Sequence, residues 1–200
     1  MTWIKTILYD DAEGPLKTVY DRIKGPDNHI DNILLAHSLR PHTLEGHMAL
    51  YKNVLHHPRN KLPKWLLESV GVYVSLINCC DYCVSHHYEG LRTLLRDDER
   101  AKKMRQALES GMPAHAYTTK EAAALDYAAI LTREPGKITE QTIDIIRQAG
   151  LEDGEILEVN QVTSYFCYAN RTVLGLGINK EKSMLGLSPS TGEADDWSHG

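Results

Sequence analysis

The chain is expected to fold as an all-α domain, and three observations carry that expectation. Apolar residues recur three and four positions apart through most of the 200 residues, the spacing that lines one face of a helix. No run alternates polar and apolar residues between turn signals, so no strand hairpin is predicted. Residues 65–80 form an apolar run whose sole charge is Glu68, and a helix apolar nearly all round must be covered by others. The length suits one domain with a sizeable core, placed at 1–187. The stretch Ser188-Pro189-Ser190-Thr191-Gly192-Glu193 then reads as part of a disordered tail, 188–200.

Each element follows from its pattern. Pro15 to Ile23 is a first helix with Leu16, Val19, Tyr20 and Ile23 on one face, and Gly25-Pro26-Asp27-Asn28 breaks it. Ile30 to Leu39 is a second, ended by Pro41. Thr43 to His56 is a third, with Leu44, His47, Met48, Leu50, Tyr51 and Leu55 in its pattern. After the loop 57–63, Pro63 sits well for the first turn of the central helix, Lys64 to about Ile77. Asp81 to Leu95 follows, then an exposed helix from Asp97 to near Gly111. Thr119 is read as the cap of a helix to Leu131, and Thr139 as the cap of one to Ala149, stopped by Gly150. Glu152 to Leu174 is the last long helix.

Charge and composition narrow the function. The net charge is −5, with Lys and Arg scattered, so a nucleic-acid partner is not expected. Residues 1–5 lack the apolar core of a signal peptide, and the run 65–80 is too short for a membrane span. A cytoplasmic location and no membrane partner are therefore expected. In a reducing compartment a Cys-x-x-Cys points to redox or metal chemistry more than to a structural disulfide. The sequon Asn170-Arg171-Thr172 is read as chance.

The stretch Cys79-Cys80-Asp81-Tyr82-Cys83-Val84-Ser85-His86-His87 holds three of the four cysteines. Cys80, Cys83 and His87 are spaced three and four apart, so on a helix they face one spot. Asn78 is a candidate N-cap, with Asp81 three residues on. That places Cys80 in a first turn, where the helix N-terminus favours thiolate. Cys83 has its own claim, because an imidazole at i+4 can take its proton. The residues alone leave open which sulfur attacks first. Glu68 constrains the backbone: one continuous helix to Cys80 would separate the two by roughly 18 Å. A reversal near Asn78 would instead bring Glu68 beside His87, where it can orient the imidazole.

A Glu twelve residues before a Cys-x-x-Cys, with a His four residues after its second Cys, resembles the alkylhydroperoxidase D family of the wider carboxymuconolactone decarboxylase group. Tyr165-Phe166-Cys167-Tyr168-Ala169-Asn170-Arg171 with Gly175-Leu176-Gly177 is similar to the closing helix of its peroxidase-related branch. The resemblance implies a helical bundle, a homo-oligomer (trimer or hexamer), and a thiol peroxidase that uses no cofactor and no metal. It implies Cys83 as the peroxide-attacking thiol, Cys80 as the resolving one, and Glu68 and His87 as the proton relay. It also implies a hydroperoxide substrate and a lipoyl- or thioredoxin-type dithiol donor. Tyr82 stands where active relatives often carry a His, which implies a modest peroxidase rate; Tyr82 and His86 are read as pocket residues. Cys79 and Cys167 are read as packing thiols. The alternatives are a decarboxylase or lactone-processing enzyme, a zinc site of Cys80, Cys83, His87 and Glu68, and a redox-responsive protein without turnover.

Overall fold

The structure, a computed structural model, describes residues 2–181 and Trp197. Among these residues the fold is all-α, with no strand. The expected tail 188–200 lies outside the described residues except for Trp197, over whose ring the Arg22 guanidinium stands 4.0 Å from the centroid.

Helix α1, Gly14–Ile23, buries the predicted face of Leu16, Val19, Tyr20 and Ile23. Helix α2 is only Asn32–Leu35, shorter than the expected 30–39. Beyond it, the His37, Ser38 and Arg40 N–H groups bond carbonyls three residues back. These tight turns carry the chain to Pro41, which begins α3, Pro41–Tyr51. The expected end of α3 is instead a π-helical turn, Lys52–His56. Helix α4, Lys64–Ile77, buries every residue from Leu66 to Ser75. It packs against α5, Asp81–Leu95, and α6, Asp98–Glu109, and against α7, Thr119–Arg133, and α9, Asp153–Leu176. Helix α8, Glu140–Gln148, lies between α7 and α9 in the chain and packs on both. The run read as central is therefore the axis of the domain.

Two caps differ from expectation. Thr118, not Thr119, caps α7: its hydroxyl accepts from the Glu121 N–H, and Glu121 reaches back to the Thr118 N–H. Only that register closes the reciprocal box. Asn78 does not cap α5; it ends α4. Cys79 follows at φ 57, and the Cys80 and Cys79 N–H groups bond Ser75 and Leu76 O at 2.9 and 3.1 Å. This pair of bonds is a Schellman stop, with Cys79 in the left-handed position that glycine usually fills. Cys79 is exposed there, so it is not the packing residue the sequence suggested.

α4 and α9 approach closely at Gly71. A Cβ there would collide with the Phe166 ring, whereas a Cβ at Gly154 would meet nothing. Gly71→Ala is expected to cost about 2 kcal/mol through overpacking, read as a lower urea midpoint at unchanged slope. Gly154→Ala, near the start of α9, is the control and is expected to leave the midpoint unchanged or raise it slightly.

Candidate active site

The Schellman stop at 78–80 reverses the chain, so α5 runs back along α4. Cys80 becomes the N-cap of α5 and Cys83 falls in its first turn. This shifts both thiols from the expected positions: Cys80 moves out of the first turn to the cap, and Cys83 moves up into the first turn, where the backbone N–H groups favour thiolate. The two Sγ atoms stand 3.2 Å apart, and both side chains are almost wholly buried. Their hydrogen bond draws the Cys80 thiol below its usual range despite burial. The same bond, with burial, pushes the Cys83 thiol well above it. The pair thus favours one shared thiolate and opposes a second negative charge.

The reversal also returns Glu68 to the site. Its Oε2 stands 2.7 Å from His87 Nδ1, with the Glu68 side chain 3% and the His87 side chain 15% exposed. The carboxylate fixes the tautomer: Nδ1–H donates, which leaves Nε2 as the basic nitrogen. The Phe166 ring meets the imidazole edge-on at 4.5 Å and packs it in place. Glu68, Cys83 and His87 line a cavity of about 50 Å³, together with Tyr82, His86 and Tyr165. Cys80 does not line it. The cavity has room for a few waters or a hydroperoxyl group.

The sequence places Asn170 in the C-terminal motif without assigning it a role. It is fully buried. Its Nδ2 donates to Ser75 Oγ at 3.0 Å, and its Oδ1 accepts from Asn78 Nδ2 at 3.0 Å. Its amide also hydrogen-bonds the two thiols and favours their ionised forms. The sequon there is therefore inaccessible. Cys167 is half-buried beside Asn78, 3.9 Å from Nδ2.

A second carboxylate, unsignalled in the sequence, adjoins the site. Glu181 Oε1 accepts from the Tyr82 hydroxyl at 2.9 Å and from the Asn32 N–H at 2.6 Å, and its Oε2 bonds His86 Nε2 at 2.7 Å. Burial opposes ionisation, but the bonds from His86 and Asn32 prevail and hold the carboxyl down to about 2. A depressed carboxylate contributes stability above its ordinary value of 4.5, and this is lost as pH falls toward 2. Tyr82 is engaged on both sides: its oxygen also accepts the Ile33 N–H at 3.3 Å. Burial and the charges of Asp31 and Glu181 push its phenol well above the usual range, so Tyr82 is a poor proton carrier.

Among the described residues no three His, Cys, Asp or Glu side chains are placed to hold a metal ion. The zinc set of Cys80, Cys83, His87 and Glu68 is not assembled. Nor, among them, is any helix long and apolar enough to cross a membrane.

Residues 41–129 match the carboxymuconolactone decarboxylase family. No curated protein sequence matches the chain. Among solved structures, an uncharacterized peroxidase-related protein from Silicibacter sp. TM1040 is 25% identical, with TM-score 0.69 over 78% of this chain and 79% of that one. A peroxidase-related protein from Ralstonia eutropha JMP134, described as an alkylhydroperoxidase AhpD core, is 20% identical with TM-score 0.73 over 90% and 93%. The debrominase Bmp8, solved as a cysteine-to-alanine variant with 2,3,4-tribromopyrrole, is 16% identical with TM-score 0.71 over 91% and 93%. The likeness to the last two is one of fold.

Proposed function

Because the chain belongs to the carboxymuconolactone decarboxylase family and has the alkylhydroperoxidase D-like helical fold, we propose that it is a thiol-dependent peroxidase that cycles Cys80 and Cys83 between dithiol and disulfide. The observation that carries this reading is the buried pair of sulfurs at 3.2 Å, one of which lines a cavity shared with a carboxylate–imidazole pair.

Cys83 is the attacking thiol because its side chain lines the cavity and that of Cys80 does not. Its raised pKa is the reason it needs a base. His87 Nε2 takes the proton, and Glu68 stabilises the imidazolium. The thiolate attacks the outer oxygen of the hydroperoxide and the O–O bond breaks. The leaving alkoxide takes the proton and departs as an alcohol, with Cys83 left as a sulfenic acid. Cys80 then attacks the Cys83 sulfur and expels water. This requires the sulfurs to close from 3.2 Å to a bonded separation of about 2.0 Å. A dithiol donor of lipoyl or thioredoxin type returns both cysteines to thiols by exchange.

Stopped-flow mixing of the reduced protein with several hydroperoxides, followed by thiol counting and peptide mapping, tests the reading. The expected result is loss of two thiols per chain, a Cys80–Cys83 disulfide, and Cys79 and Cys167 still reduced. A disulfide through Cys79 or Cys167, or no oxidation by any peroxide, removes its basis. Decarboxylation or lactone processing would leave the dithiol without a role.

A further inference from the structure

Glu181 takes no part in the dithiol cycle, yet it is seated as a bound ligand would be. Its side chain is 5% exposed, and three donors converge on it: the Asn32 N–H, the Tyr82 hydroxyl and His86 Nε2. Each is remote from Glu181 in the chain. Tyr82 and His86 stack at 4.5 Å on α5 and line the cavity that holds Cys83. The Ile33 N–H bonds the Tyr82 oxygen, which directs the phenol proton outward to the carboxylate. The cradle is thus positioned by α5 and by the chain at 32–33.

The occupant is tethered differently. Glu181 lies four residues beyond Gly177, where the chain leaves α9 at φ 60 against Trp3. Asn179 O accepts from Asn32 Nδ2 at 2.8 Å, and Ile178 packs in the cluster containing Cys80, Tyr82 and Cys83. Withdrawal of Glu181 would leave three donors, of which Tyr82 and His86 line the cavity, without an acceptor, which is unfavourable unless another anion replaces it. The carboxylates that line the cavity itself are already matched: Asp31 to His29 at 3.2 Å and Glu68 to His87 at 2.7 Å.

We infer that Asn32 N–H, Tyr82 and His86 form a carboxylate-binding subsite in the wall of the dithiol cavity, which the chain fills in cis with Glu181 and which a carboxylate-bearing hydroperoxide takes by displacing it. That the displacing carboxylate belongs to the substrate rests on the peroxidase reading. That the cradle binds a carboxylate does not.

The two parts are tested separately. In the reduced, full-length Glu181→Ala protein, the melting temperature is expected to fall, and sodium propionate to restore it saturably. Propionamide, and sodium chloride at matched ionic strength, are expected to do nothing. Adding Tyr82→Phe or His86→Gln is expected to weaken the propionate effect at least about tenfold, because each removes a bond to the charged group. If Glu181→Ala does not fold, Glu181→Gln keeps the volume without the charge, and propionate binding is followed by the His86 imidazole resonances. Propionate acting no better than chloride, or equally well without His86, overturns the subsite. For the substrate, oxidation by tert-butyl hydroperoxide is compared with oxidation by its analogue carrying a carboxymethyl in place of one methyl. Glu181→Ala is expected to raise the rate ratio in favour of the charged peroxide at least about tenfold; an unchanged ratio overturns that part. If neither peroxide oxidises the pair, the peroxidase reading and the substrate assignment fail together, and the melting experiment still decides the cradle.

Discussion

Cys83→Ser is expected to abolish peroxide reduction, lowering turnover at least about 10,000-fold, as when other enzymes lose a nucleophile. Cys80→Ser is expected to lose turnover as well but to keep the first step. One equivalent of peroxide then converts Cys83 to a sulfenic acid that persists, because the sulfur poised 3.2 Å away is no longer present to condense with it. Trapping that acid with a carbon nucleophile, and locating the adduct by mass spectrometry, separates the two roles. The opposite outcome has a physical basis and is equally readable. The hydrogen bond that lowers the Cys80 thiol favours thiolate on that sulfur. Were the resting thiolate also the nucleophile, Cys83→Ser would leave a trapped sulfenic acid on Cys80, and Cys80→Ser would be inert. The lining of the cavity by Cys83 and not by Cys80 decides for the first result, since thiolate out of reach of the peroxide cannot attack it.

What could be read in advance divides along physical lines. The all-α architecture and the central α4 follow from local periodicity, and their residues carried that signal. The return of Glu68 to His87 followed from a length argument: only a reversal before α5 avoids a separation of many ångströms. The means of reversal did not follow, because a left-handed Cys79 departs from the glycine that marks such a stop. Taking Asn78 as a cap then set the start of α5 too early and placed both thiols too deep in the helix. Asn170 left a trace, a polar residue beside Ala169 on the face of α9 that also buries Phe166 and Val173. Glu181 left none. It sits between Lys180 and Lys182, as an exposed charge would, and its burial depends on tertiary contacts with Asn32, Tyr82 and His86. The shortening of α2 to four residues left no trace either: tight turns whose N–H groups bond carbonyls three residues back replaced the helix its composition favoured.

Glu68→Gln and His87→Gln are each expected to slow Cys83 oxidation by about 100-fold to 10,000-fold, the usual contribution of a positioned general base. The argument starts from the cost of ionising Cys83. The bond from Cys80 and burial both push its thiol up, so at neutral pH little of it is thiolate without help. His87→Gln removes the acceptor of the proton. Glu68→Gln keeps the volume and a hydrogen bond to Nδ1 but removes the charge that stabilises the imidazolium. The pH profile gives the sign. In wild type the oxidation rate is expected to rise with pH as the thiol gives up its proton. In either variant the rise is expected to move to higher pH, because thiolate must then form without a base or without a stabilised one. At sufficiently alkaline pH the variants should therefore recover part of the wild-type rate. The double variant is expected to be little worse than His87→Gln, since Glu68 acts through the imidazole and has nothing to orient once it is gone. Tyr82→His offers an internal contrast. The hydroxyl is committed to Glu181 and to the Ile33 N–H, so the change should disturb the Glu181 cradle and leave the alkaline shift absent. Stopped-flow oxidation against pH for these variants is the measurement. Wild-type profiles for both Glu68→Gln and His87→Gln would dismiss the relay and return the first step to Cys80.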